Sequence, residues 1–216
     1  MSKTVLITGG TRGIGRACAE RFARAGYAVS VIARGQMELR KLQDHWAEHY
    51  PTPLTTLALD LTDAAAIASV PRRAFDVVIL NAATYRPGGL LEAKTDHFED
   101  LLTLNVLGNH RLLRHLGAEH LPGHLVVIGS TGTDHFKPYM TAYVATKYAL
   151  RGLFLGWQAE LADAETKTTL VAPGATLTSS WDGETPPPDI LQPAEVAQTV
   201  YACVRDGREG RVLVEN

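Results

Sequence analysis

Val5-Leu6-Ile7-Thr8-Gly9-Gly10-Thr11-Arg12-Gly13-Ile14-Gly15 is a short apolar run that breaks into a glycine-rich turn. Branched apolar residues bounded by a turn are the mark of a buried strand. A helical pattern follows, with Ala17, Ala19, Phe22 and Ala23 on its apolar side, and it stops at Gly26. In a strand-to-helix turn of this kind, glycines let the main chain approach a pyrophosphate, and the free N–H groups of the helix start bind its charge. The spacing of Gly9, Gly13 and Gly15 is G-x-x-x-G-x-G, not the plain G-x-G-x-x-G of the commonest dinucleotide fingerprint. There is no Gly-Lys-Ser/Thr, which argues against a phosphate-transferring P-loop.

Working outward, strand patterns at 28–33, 54–59, 76–80, 124–128, 168–172 and 211–214 alternate with helical patterns at 36–50, 63–70, 95–121, 141–161 and 194–205. The strands read as continuous apolar runs, which predicts a parallel sheet covered on both faces. The fold class is therefore α/β, a doubly wound parallel sheet of about seven strands with helices on both faces. No linker, repeat or low-complexity segment interrupts the 216 residues, so a single domain over 1–216 is expected. The Pro-rich stretch 176–192 reads as a loop or lid. Such sheets bind ligands beyond the C-terminal ends of their strands. Glycines and polar residues collect there: Gly9 to Gly15, Arg34, Asp60, Asn81, Ser130 and Pro173-Gly174.

Composition excludes several classes of function. The chain is 45% hydrophobic and 20% charged with net charge −2, which gives no electrostatic footprint for nucleic acid or an acidic membrane. No apolar run reaches the ~20 residues that span a bilayer. The N-terminus runs into a strand pattern without a secretory signal, so a cytoplasmic location is expected. Cys18 and Cys203 read as small core or surface thiols, and His45 and His49, four apart, as solvated helix residues rather than metal ligands. No metal is expected.

The end of the second strand bears on which dinucleotide is bound. An acid there holds a ribose 2′-hydroxyl, whereas an Arg accommodates a 2′-phosphate. This chain has Ala33-Arg34 and no acid, and Arg12 in the glycine turn can reach the same region. Paired guanidiniums hold a phosphate well, so the reading favours NADP(H), with each Arg alone also compatible with a solvated surface charge. In the second half, Tyr143 and Lys147 lie four apart on a helix and share one face. A nearby cation favours the phenolate and lowers a phenol pKa, which makes Tyr143 a candidate general acid/base. Tyr139 and Tyr148 lack the four-residue relation to Lys147. Asn105 sits among Leu101, Leu102, Leu104 and Val106 in a long helical pattern, with Asn109 one turn on as a rival.

Taken together, residues 8–15, Asp60, Asn81-Ala82-Ala83, Asn105, Ser130, Tyr143-x-x-x-Lys147 and Pro173-Gly174 resemble, in order, the short-chain dehydrogenase/reductase family. The resemblance covers nearly the whole chain. It implies a Rossmann-like sheet and hydride transfer between a nicotinamide and a carbonyl or alcohol. Carried over, Tyr143 would move the proton, and Lys147 would hold the nicotinamide ribose and depress the Tyr143 pKa. Ser130 would polarise the substrate oxygen, and Asn105 would anchor a water that relays protons to Lys147. Gly9, Thr11, Arg12, Gly13 and Ile14 would cradle the pyrophosphate. Asp60 and Leu61 would sit by the adenine, and Asn81 with Ala82 would support the ribose region. Pro173, Gly174 and Thr176 join this cofactor-binding set, and Thr178 would touch the nicotinamide carboxamide.

Three features depart from the family pattern. Thr176 stands where a branched apolar residue is usual, the substrate loop holds Pro186-Pro187-Pro188, and the chain ends at Glu215-Asn216 without a Gly-rich tail. The substrate would be framed by 84–88, 131–139 and 177–188. Tyr85, Phe136, Tyr139 and Trp181 would form an aromatic pocket, and Arg86, His135 and Lys137 would meet an acidic group; a surface-loop role fits all of these equally. The expected function is an NADP(H)-dependent reductase of a small carbonyl compound, or the corresponding alcohol dehydrogenase, forming a homodimer or homotetramer. The alternative is an NADP(H)-sensing binding protein on the same fold without turnover. A nucleotide-sugar epimerase suits neither the glycine spacing nor the short C-terminal half.

Overall fold

The computed structural model describes residues 2–88, 90–91, 96–136, 138–183 and 185–215. Among them, β1 (Thr4–Thr8), β2 (Ala28–Ala33), β3 (Leu54–Ala58), β4 (Val77–Leu80), β5 (His124–Ile128), β6 (Lys167–Pro173) and β7 (Gly210–Val214) form one sheet in the order β3-β2-β1-β4-β5-β6-β7. Every pairing is parallel. The chain winds outward from β1 in one direction, then returns to β4 and winds in the other. That reversal puts a crevice between the ends of β1 and β4.

Successive strand residues face opposite sides of a sheet, which is why the central strands carry apolar residues in succession, as in Val5-Leu6-Ile7 and Val77–Leu80. Val5, Ile7 and Ile79 pack with α1 (Gly13–Arg24), α2 (Gln36–His49) and α7 (Pro193–Asp206) through Phe22, Trp46 and Val200. Leu6, Val78 and Leu80 pack against the other layer, through Leu112 of α5 (Asn109–Leu116) and Phe154 of α6 (Thr141–Glu160). The α7 start is set by local chemistry. Pro193 occupies the first turn, where its missing N–H costs nothing, and Gln192 and Glu195 form a reciprocal capping box. Gly207, at φ 61°, closes the helix.

The expectation of one helix over 95–121 is corrected. Thr95 lies outside the described residues. Beyond it the chain forms α4 (Phe98–Leu102), a π-helical turn at Thr103–Gly108, α5, and a short 3₁₀ turn at Ala118–His120. Gly117, at φ 71°, ends α5. The helix expected at 63–70 shrinks to α3 (Ala64–Ile67), whose start is capped by the Asp63 carboxylate accepting from Ala65 N and Ala66 N. The Pro-rich loop is not wholly irregular. Thr176 and Leu191 form a parallel bridge at its base, and Ser179–Trp181 is a 3₁₀ turn. No helix among the described residues is long and apolar enough to cross a membrane.

Two predictions follow from this packing. A Cβ added at Gly108 would sit 2.7 Å from Leu61 O and 3.0 Å from Leu61 Cβ. Gly108→Ala should therefore destabilise the fold by about 1–3 kcal/mol through overpacking, read as a lower urea midpoint. An unchanged midpoint would mean that the π turn and the end of β3 separate freely. The second concerns His124, buried at the opposite end of β5 from the crevice, with Nε2 2.7 Å from Thr169 Oγ1. Thr169 donates its own proton to Arg208 O, so His124 Nε2 is the donor in that pair. Burial, and then the nearby Lys167 charge, push the His124 pKa down to about 4. The folded state thus resists a proton that the unfolded chain takes up near its ordinary value of 6.5. Stability present above that value should fall as pH drops through this window, by roughly 2 kcal/mol after allowance for partial solvent screening. His124→Gln should flatten the loss, and equal acid sensitivity of the two proteins in urea titrations would contradict it.

Candidate functional site

A cleft of about 1110 Å³ opens along the C-terminal ends of β1, β2, β4, β5 and β6. It is lined by Gly9, Thr11, Arg12, Gly13 and Ile14 of the glycine turn, by Arg34, Leu61, Asn81 and Ala82, by Ser130, Tyr143 and Lys147, and by Pro173, Gly174, Thr176 and Thr178. Of the expected catalytic and cofactor-binding residues, only Asp60 and Asn105 are not on its walls.

At its inner end the glycines have separate reasons to be there. Gly9 and Gly13 take φ of 69° and 54°, a region that side chains disfavour. A Cβ at Gly15 would lie 2.3 Å from Gly9 O. The start of α1 carries no side-chain cap and no acid in its first turn, so its N–H groups stay open to the cleft. Bare main chain, positive φ and an uncapped helix start fit a pyrophosphate. Across the crevice, the Thr8 hydroxyl accepts from Asn81 N and Ala82 N, each at 2.9 Å. The Asn81 amide donates back to Thr8 O at 2.9 Å and Gly9 O at 3.2 Å. Asn81, expected beside a ribose, thus braces the glycine turn itself. Thr178 rests on the turn from the other side, its Cγ2 3.1 Å from where a Gly13 Cβ would be. Its hydroxyl pairs with Ser180 Oγ at 2.7 Å.

At the end of β2 the cleft wall carries Arg12 and Arg34 as expected. Arg34 Nη1 lies 3.8 Å from Asp60 Oδ2, both side chains well exposed. Asp60 Oδ1 accepts from Thr62 N and Oγ1, which turns that carboxylate into the loop rather than the cleft, leaving Leu59 and Leu61 on the wall. The strand end carries no acid, as expected, but Glu38 of α2 also lines the wall.

At the other end of the cleft, Tyr143 and Lys147 sit on the same face of α6. The Tyr143 phenol lies close enough to the Ser130 side chain for that hydroxyl to favour the phenolate. Ser130 Oγ also accepts from Gly132 N at 3.0 Å, which fixes its direction. Lys147, 3% exposed, donates to Ile128 O at 3.1 Å, and its Nζ lies 5.7 Å from the centre of the Tyr143 ring. The expectation that Lys147 lowers the Tyr143 pKa is not met in this state. Burial dominates and pushes the phenol up to about 12, with the Ser130 hydrogen bond opposing it. Burial pulls Lys147 down to about 8. Loss of solvent penalises the charged form of each group, in opposite directions.

Asn105 is fully buried in the π turn, and its amide is committed to protein. Its Oδ1 accepts from Thr84 N at 2.8 Å, and its Nδ2 donates to Thr84 O at 3.0 Å and Thr146 Oγ1 at 3.1 Å. Thr146 in turn donates to Tyr143 O at 2.7 Å. Asn105 therefore ties the loop after β4 to the turn of α6 that carries Tyr143, and both amide hydrogens are spent on that tie rather than on a water. Asn109, weighed only as a rival, has its own task. Its Nδ2 donates to Ala82 O at 3.0 Å and Asn105 O at 3.1 Å. Two asparagines one turn apart on a buried face were the signal for that pairing.

At the mouth, Tyr85 packs edge-on against the Tyr143 ring with centroids 5.1 Å apart. Trp181 joins the wall, its Nε1 donating to Thr176 O at 3.1 Å. The larger aromatic pocket is corrected: Phe136 and Tyr139 are exposed off the wall, and Pro138 and Met140 stand there instead. Arg86 is turned away toward Asp100, 3.3 Å off, whereas His135 remains on the wall; Lys137 lies outside the described residues. Tyr148 gives its hydroxyl to Thr133 O at 2.6 Å, away from the site.

Comparison with known proteins places this architecture. The family model described as short chain dehydrogenase matches residues 3–188. Mouse dehydrogenase/reductase SDR family member 7B is 30% identical over 185 residues, covering 79% of this chain, and the chain spans only 56% of that protein. An alcohol dehydrogenase from the archaeon Thermococcus sibiricus, solved in complex with 5-hydroxy-NADP, aligns with TM-score 0.89 and 28% identity over 99% of this chain and 96% of its own. A short-chain dehydrogenase from Sphingobium yanoikuyae, solved in complex with NADPH, aligns with TM-score 0.87 and 29% identity over 98% of this chain and 87% of its own. The family match runs from the first strand into the loop beyond β6, and the chain belongs to the short-chain dehydrogenase family.

Proposed function

We propose that this chain is an NADP(H)-dependent oxidoreductase, a carbonyl reductase or alcohol dehydrogenase acting on a small carbonyl compound or secondary alcohol. The observation that carries the reading is the placement of the Tyr143 phenol. It shares one end of the cleft with Ser130 and Lys147, and the other end is an uncapped helix start behind bare glycines. Arg12 and Arg34 on the wall, and the NADP-type ligands of the two solved relatives, support NADP(H) as the cofactor. When bound, the nicotinamide supplies a hydride to a carbonyl carbon or accepts one from an alcohol.

The protein's own groups do the rest. The cleft residues of the glycine turn, with Ala82, would hold the pyrophosphate and adjoining ribose, and Pro173, Gly174, Thr176 and Thr178 would close the nicotinamide end. In reduction, the Ser130 and Tyr143 hydroxyls donate to the substrate oxygen, and Tyr143 gives up its proton as that oxygen gains negative charge. The phenolate left behind would be costly in so buried a place, and the Lys147 charge beside it offsets that cost. In oxidation the proton moves the other way. Asn105 acts as a positioning residue, holding Tyr143's helical turn against the loop after β4. A homodimeric or homotetrameric assembly and a cytoplasmic location belong to the proposal through the family resemblance.

Tyr143→Phe should lower kcat/KM for carbonyl reduction by about 10²–10⁴-fold while NADPH binding is retained. If wild-type protein binds NADPH and oxidises none of it across a broad carbonyl panel, the enzyme reading falls and a non-catalytic nucleotide sensor takes its place. The pH profile is a separate check. With the phenol pKa at about 12, Tyr143 stays protonated across the neutral range, and Lys147 at about 8 sets the limb. Reduction should hold level through neutrality and decline as pH rises through the Lys147 value, where the stabilising charge is lost. Lys147→Arg should shift that decline to higher pH, and a decline at the same pH in both proteins would assign it elsewhere.

A further inference from the structure

The wall of the cleft at the end of β2 holds an acid that the strand itself lacks. Glu38 is the third residue of α2, and it folds back toward the start of its own helix. An atom placed as Cβ on Gly35 would lie 2.0 Å from Glu38 Oε2 and 2.9 Å from its Cδ. The carboxylate therefore occupies the space that any side chain at position 35 would fill. Gly35 has φ −76° and ψ 109°, which every residue adopts, so its backbone does not demand glycine; a side chain there would instead push the end of Glu38 aside. No side chain caps α2, so the positive end of the helix attracts the carboxylate without binding it. Arg12 and Arg34 line the same cleft, with Arg34 loosely paired to Asp60 at 3.8 Å. Two guanidiniums and the Glu38 carboxylate thus share the end of the cleft where the adenosine ribose of a dinucleotide would lie.

We propose that Glu38 is a specificity-determining residue that restrains the preference for NADP(H). Its carboxylate opposes the 2′-phosphate that Arg12 and Arg34 attract, and it accepts a hydrogen bond from the free 2′-hydroxyl of NAD(H). The inference rests on the dinucleotide reading above and goes beyond it, because it assigns the balance between two cofactors to one side chain of α2. The protein then accepts both dinucleotides, with Arg34 and Glu38 pulling in opposite directions. Gly35 is part of the device, since it leaves room for the carboxylate to lie on the wall.

The test is the dissociation constant of NADPH and of NADH, each measured by nicotinamide fluorescence without substrate, for wild type, Glu38→Gln and Gly35→Ala. Glu38→Gln should tighten NADPH about tenfold, the size of one like-charge repulsion near a protein surface, and should leave NADH unchanged or weaker. Gly35→Ala keeps the acid but displaces it from the wall, and should shift the NADPH-to-NADH ratio in the same direction. If wild type binds NADPH and neither variant moves the ratio, the role of Glu38 is overturned while the cofactor reading stands. If wild type binds neither dinucleotide, both are overturned. A shift of the ratio toward tighter NADPH in Glu38→Gln alone, with Gly35→Ala unchanged, would support the charge and overturn the part assigned to Gly35.

Discussion

Where β1 and β4 end side by side, main-chain groups run out of strand partners while still inside the protein. Buried N–H and C=O groups need partners, and here three side chains supply them. Thr8 is wholly buried and accepts from two successive amides of the loop after β4. Asn81 returns the favour to the glycine turn, and Asn109 reaches up from α5 to the next carbonyl, Ala82 O. The crevice of the sheet is thereby held open by hydrogen bonds rather than filled by apolar side chains. Everything that gives the cleft its chemistry hangs from this brace: the bare glycine turn on one side, and the loop carrying Thr84 and Tyr85 on the other.

The brace continues toward the phenol. Asn105 grips both polar main-chain atoms of Thr84 and the Thr146 hydroxyl, and Thr146 grips Tyr143 O. A continuous line of buried hydrogen bonds thus links the first strand to the helix that carries Tyr143. Such a network has little slack, because each amide in it would be costly if left unpaired. The π turn belongs to the same logic. It lies in the helical segment from which both Asn105 and Asn109 reach the brace, and such turns recur at functional sites.

Much of this was legible from the residues alone. Continuous apolar runs alternating with helical patterns announced the parallel sheet, and the four-residue spacing of Tyr143 and Lys147 put both on one face. What escaped has physical causes. The π turn depends on which carbonyl each N–H selects, and no residue type encodes that choice. Asn109 looked like a rival of Asn105 because spacing does not reveal that the two are complementary. Glu38 escapes a rule written for strand ends because its carboxylate arrives from the next helix, beside Gly35. At Tyr143 the spacing reveals the neighbouring cation but not the burial that opposes it.

The loop between β6 and α7 is tied at its neck. Leu177 N donates to Leu191 O at 2.8 Å, Leu191 N donates to Ala175 O at 3.1 Å, and Trp181 is pinned to Thr176 O. A segment fastened this way behaves as an interchangeable cassette. Residues inside it can be exchanged, lengthened or shortened at small entropic cost, while the neck keeps β6 and α7 in register. The mouth of the cleft can therefore drift under mutation independently of the Tyr143 end, and one scaffold can be reshaped there without rebuilding the rest of the cleft.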